Sequence, residues 1–152
     1  MEIANNVGLT FGLTLIVVIA VIIIYYLVWG VMPGASVMSV TEPPTTNNGL
    51  DEKQAKFMFF YTTWCPWSKK AQQPWASLKE FQKNTPKTYG GNTVIFEEIN
   101  AESESGKSAL YGIKAYPTFK LETKDKVYEM LGKPSVAAFR AFLITVLGQE
   151  ST

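Results

Sequence analysis

From Val7 to Met32 the chain carries no Asp, Glu, Lys or Arg, and this uncharged run constrains everything else about the fold. At a helical rise of about 1.5 Å per residue it spans about 39 Å, enough to cross a hydrocarbon core about 30 Å thick. Backbone in lipid must satisfy its own hydrogen bonds, so residues 7–32 are expected to form one transmembrane helix. Tyr25, Tyr26 and Trp29 gather toward one end, where amphipathic rings favour the headgroup layer. The tail before it, residues 1–6, carries Glu2 and no basic side chain, and the run exceeds a usual h-region. A retained anchor is therefore expected over a cleaved leader. Lys53, the first basic residue, is too distant to assign sidedness. Gly8 and Gly12 form a G-x-x-x-G spacing that lets two such helices associate, although glycine is common in these helices in any case.

Residues 33–52 hold Pro33-Gly34, Pro43-Pro44 and Asn48-Gly49 without a helical period, and are expected to be an extended tether. Residues 53–152 are then enough for one small domain that buries its own core. One cysteine and no histidine exclude an internal disulfide, a Cys/His zinc site and any Ser-His or Cys-His catalytic pair. The basic residues lie from Lys53 onward and are dispersed, Lys69-Lys70 being the only adjacent pair, which argues against a nucleic-acid partner. No Gly-rich phosphate loop is present, and neither a cofactor nor a bound metal is expected.

Within the domain, Lys56–Thr62 is a continuous apolar and aromatic run suited to a strand buried on both faces. Trp64 and Cys65 follow it directly. Pro66–Gln82 places Ala71, Trp75, Leu78 and Phe81 at helical spacing, with Pro66 in the first turn and Pro74 expected to kink the helix. After the turn-rich Asn84–Asn92 stretch, Thr93–Ile99 reads as a strand and Ser103–Tyr111 as a short helix. Pro117–Leu121 and Lys126–Met130 read as a hairpin. Ser135 is placed to cap a last helix whose apolar positions include Val136, Phe139, Phe142, Leu143 and Val146. The order is β-α-β-α-β-β-α, an α/β fold in which the first crossover makes a parallel strand pair.

Trp64-Cys65-Pro66-Trp67-Ser68-Lys69, at a strand-to-helix turn, resembles the W-C-x-x-C-K signature of thioredoxins and protein disulfide isomerases. Tyr111–Phe119 is similar to that family's stretch around its cis-proline, and Tyr128–Gly132 resembles its last strand and glycine turn. The resemblance covers about Phe57–Leu147. It implies a minimal thioredoxin-like fold after the transmembrane helix, with the amino-terminal strand and helix of full thioredoxins replaced by the tether. Small membrane-anchored proteins of large DNA viruses with a W-C-x-x-S motif are also similar, which implies a virion membrane component, a minor capsid protein.

By this resemblance Cys65 is the attacking thiol at a helix N-terminus. Ser68 stands where the resolving cysteine would be; it cannot resolve a mixed disulfide but can donate a hydrogen bond to a thiolate. Phe59 stands where the family's buried acid would be. Cys65 then has three readings: a monothiol that exchanges or traps disulfides, a vestigial thiol on a reused scaffold, or an iron–sulfur ligand as in monothiol glutaredoxins, which Pro66 opposes. Tyr116-Pro117, if cis, leaves the Tyr116 backbone free to pair with an extended peptide or serves the fold alone. Trp64, Pro66, Trp67, Tyr116 and Pro117 are the expected partner-binding rim, although core packing also explains Trp64. Glu97 and Glu98 should point to opposite faces of their strand, and Glu102 and Glu104 to solvent, which argues against a metal cluster. The expected function is a structural or protein-docking role at a membrane, with a monothiol oxidoreductase or disulfide-trapping chaperone as the rival.

Overall fold

The computed structural model describes residues 13–25, 38–44 and 48–152. The chain divides into two compact units, Met1–Ala35 and Ser36–Thr152. In the first, residues 13–25 form a helix, α1, whose apolar side chains are exposed, with Leu13, Ile16 and Ile24 among them. Among the described residues no helix is long and apolar enough to cross a membrane. The expected span of residues 7–32 runs beyond α1 on both sides. Its remainder, including Gly8, Gly12, Tyr26 and Trp29, lies outside the described residues.

The second unit is built on a mixed five-stranded sheet. Its strands are β1 (Met38–Thr41), β2 (Gln54–Tyr61), β4 (Thr93–Asn100), β5 (Thr118–Glu122) and β6 (Val127–Met130), in the order β1-β6-β5-β2-β4. The helices α2 (Pro66–Asn84), α3 (Ser105–Leu110) and α4 (Val136–Leu147) complete it, with a small ribbon of β3 (Thr88–Tyr89) and β7 (Glu150–Ser151). The first crossover makes β2 and β4 parallel, with Phe59 opposite Glu98, while β5 and β6 join antiparallel. Ser135 caps α4 by accepting the Ala138 amide at 3.1 Å. Pro74 lies inside α2, which continues through it to Asn84.

The stretch expected to be a tether is corrected in part. Met38–Thr41 pairs antiparallel with β6, from Met38 opposite Met130 to Thr41 opposite Val127. Leu50 is buried, and the Asn48 side chain donates to the Thr123 carbonyl at 2.8 Å. Residues 38–52 therefore belong to the folded unit wherever they are described, because an open edge of β6 offers backbone partners that an extended segment satisfies.

Alternation along β2 divides the core. Phe57 and Phe59 face α2 and α4, packing with Trp75, Phe119, Phe139 and Phe142; Phe59 stacks on Phe119 at 4.8 Å between ring centres. Met58 and Phe60 face the other way, against Ile99, Tyr111, Ile113 and Tyr116. β4 alternates likewise. Glu98 accepts the Trp75 indole N–H at 2.8 Å, whereas Glu97, on the opposite face, pairs with Lys107 of α3. This two-sided burial makes β2 an interior strand covered on both faces, and Cys65 follows its end.

Candidate functional site

β2 ends at Tyr61 and α2 starts at Pro66, so the loop between them hangs from the most deeply buried strand of the sheet. Cys65 is the N-cap of α2 in extended conformation. The first residue inside the helix, Pro66, has no N–H, so the first free amides belong to Trp67 and Ser68. No acidic side chain occupies that first turn to compete for them.

The Cys65 side chain is 6 % exposed, at the edge of the surface rather than within the core. Its thiol Sγ donates toward the Tyr116 carbonyl oxygen at 3.5 Å and accepts no capping bond. Its pKa is held below the ordinary 9.0 chiefly by the Ser68 amide. Desolvation opposes that effect, while the Ser68 hydroxyl and the Trp67 amide add to it. The protonated thiol thus leans on Tyr116, and the thiolate is served by the first turn of α2.

Ser68 is fully buried, and its Oγ accepts the Thr62 amide at 3.4 Å. Phe59, at the position of the family's acid, is buried among rings, so no carboxylate reaches that place along β2. The adjacent strand offers Glu98, which Trp75 and Lys79 occupy. Next to the cysteine loop, Glu102 accepts the Thr63 amide at 2.6 Å, and this contact holds its carboxyl below the usual range.

The Tyr116-Pro117 bond is cis. Beside it opens a groove of about 430 Å³ lined by Trp67, Lys70, Tyr116, Pro117, Gly132, Lys133 and Pro134. Of the expected rim, Trp67, Tyr116 and Pro117 therefore come together. Pro66 sits at the helix start, and Trp64 is exposed without lining the groove. Trp64 and Trp67 are each 66 % exposed, so neither is a core residue. Sequence reasoning missed Thr62, Lys70, Lys133 and Pro134; Lys70 and Lys133 lie on separate elements whose approach only the fold creates. Among the described residues, no group of His, Cys, Asp and Glu side chains could hold a metal ion.

The family model described as Thioredoxin matches residues 38–145. No match exists among curated protein sequences. Among solved structures, human ERp44 in form I aligns with a TM-score of 0.54 at 24 % identity, over 66 % of this chain and 27 % of that one. The Trx4 domain of ERdj5 aligns with a TM-score of 0.51 at 20 % identity, over 68 % of this chain and 89 % of that one. Thioredoxin from Malassezia sympodialis aligns at 0.51 and 20 % identity, over 66 % and 79 %. The chain thus spans under a third of the ERp44 structures it matches, and likeness at this identity concerns the fold. With the strand-to-helix cysteine, the cis-proline beside it and a family match over most of its length, the chain belongs to the thioredoxin family.

Proposed function

We propose that this protein is a membrane-anchored monothiol that captures protein partners as mixed disulfides and holds them. The observation that carries this reading is the placement of Cys65 at the N-cap of α2, before the Trp67 and Ser68 amides that lower its pKa, with Ser68 at the would-be resolving position. Cys65 thiolate attacks one sulfur of a partner disulfide, forming a Cys65–partner disulfide and expelling the other partner sulfur as thiolate. No second thiol in the chain attacks that adduct, so it lasts until an external thiol arrives. The uncharged run of residues 7–32 supports the anchor. A virion membrane is a setting that the sequence resemblance alone supports.

The test uses the full chain in nonionic detergent micelles, with Cys65→Ser as the control. Alkylation against pH should show a midpoint below 9.0, and a disulfide-bearing peptide should yield a stable one-to-one adduct. A midpoint at or above 9.0 with no adduct would sink the reading.

The second reading is docking without thiol chemistry, which the exposure of Trp64 and Trp67 favours. In that case Cys65→Ser keeps partner binding and Trp67→Ala loses it.

A further inference from the structure

The groove beside Tyr116-Pro117 has a chemical character of its own. Its floor is apolar, from Trp67, Tyr116, Pro117 and Pro134, and its two charged lining residues are Lys70 and Lys133. No carboxylate lines it. Both lysines are exposed, and the ion pairs among the described residues engage Lys56, Lys79, Lys107, Lys120, Lys124 and Arg140 instead. Lys70 is nonetheless positioned, because its Nζ lies 4.8 Å from the centre of the Trp67 ring. Lys133 follows Gly132, whose φ of 112° keeps that turn in a conformation a side chain would strain. Two lysines outside those ion pairs therefore line an apolar groove that shares Tyr116 with the Cys65 thiol.

We propose that this groove selects extended partner segments carrying an acidic side chain next to an apolar one, with Lys70 and Lys133 as the selecting residues. The proposal rests on the capture reading only in saying which segments reach Cys65. Complementary charge favours encounter and register, and a basic segment is disfavoured by the same two lysines. A bare aromatic rim would accept either.

The test separates the groove from the thiol. The full chain carrying Cys65→Ser, in nonionic micelles, is titrated with two peptides of equal length bearing a neutral dye. Each has serine at the captured position and one adjacent leucine, flanked by glutamates in one peptide and glutamines in the other. At low salt the glutamate peptide should bind about fivefold tighter, the scale of two exposed charge pairs. Lys70→Gln with Lys133→Gln keeps much of the apolar stems and should abolish the difference, as should high salt. Lys83→Gln, at the far end of α2, should leave it intact. Equal affinities for the two peptides, or a preference that survives the double variant, overturn the proposal. An inert thiol with acid preference retained would end the capture reading and spare the groove; a reactive thiol with no preference would do the reverse.

Discussion

The Thr62 amide donates to Ser68 Oγ across the mouth of the cysteine loop at 3.4 Å, and this contact fixes what the serine can do. A hydroxyl has one hydrogen and two lone pairs, and with Thr62 taking a lone pair the hydrogen remains for the neighbouring sulfur. Ser68 lowers the Cys65 pKa through that side chain and, more strongly, through its backbone amide. The serine that interrupts the two-cysteine motif is therefore part of the machinery that favours thiolate.

Ser68→Ala should move the alkylation midpoint of Cys65 upward toward 9.0, with part of the depression kept because the Ser68 amide survives. It should also cost about 1 kcal/mol in urea unfolding, since the buried Thr62 amide loses its acceptor. Ser68→Cys should instead shorten the life of the mixed adduct by adding a thiol able to attack it. An unchanged midpoint in Ser68→Ala would show that the hydroxyl does not serve the sulfur.

Glu98 joins the aromatic core to the surface, taking the Trp75 indole N–H at 2.8 Å and pairing with Lys79. Glu98→Ala leaves that N–H without its partner and should destabilise the domain by about 1 to 2 kcal/mol. Glu98→Gln preserves an acceptor oxygen and should lose less than half as much. Chemical unfolding of the two variants side by side decides between hydrogen bond and charge as the source.

Tyr89 is buried, and desolvation, reinforced by the neighbouring Glu150 carboxylate, pushes its phenol from 10.0 up to about 12. The neutral phenol is thus favoured in the folded state. Its stabilising effect is fully present below pH 10 and is lost as pH rises toward 12. Tyr89→Phe removes the titrating phenol and should flatten part of that alkaline loss. Tyr111, also raised by burial and by Glu122, should account for another part. Thermal melts at pH 8, 10 and 11, which sample about that window, would expose an error if the Phe variant tracked the parent.

Gly90 and Gly91 are adjacent glycines with positive φ, yet they should differ sharply. A Cβ on Gly90 would lie 1.8 Å from the Leu147 carbonyl oxygen, a backbone atom, whereas one on Gly91 meets nothing within 4 Å. Gly90→Ala should cost about 3 kcal/mol or more through forced separation of the β3 turn from the end of α4, and Gly91→Ala about 1 kcal/mol of backbone strain alone. Similar costs for both would mean that the close approach is not maintained in solution.

The order of the main elements was legible because each carries its period openly. Phe57 to Phe60 are apolar at every position, as a strand covered on both faces requires, and Ala71, Trp75 and Leu78 mark the inner face of α2. Met38–Thr41 gave no such signal, since an edge strand with only Met38 partly buried has no alternation to display. Its pairing comes from backbone groups that every residue shares. The cysteine, the serine and the cis-proline were readable only through the resemblance of Trp64–Lys69 and Tyr111–Phe119 to the family's motifs. The lysines at the groove were not, because Lys70 rides on α2 and Lys133 on the turn after β6, and proximity between them is a property of topology.

The strand contributed by Met38–Thr41 also decides how the domain answers a mechanical load. Any pull arriving through the residues before Met38 meets the four-residue β1–β6 ladder first. That ladder is a sheet edge, while Cys65 follows β2, an interior strand between β5 and β4. Peeling Met38–Thr41 from the edge would free about 13 Å of extended chain and leave the cysteine turn in place. Length would then be released at the edge of the sheet before the turn that carries Cys65 is loaded.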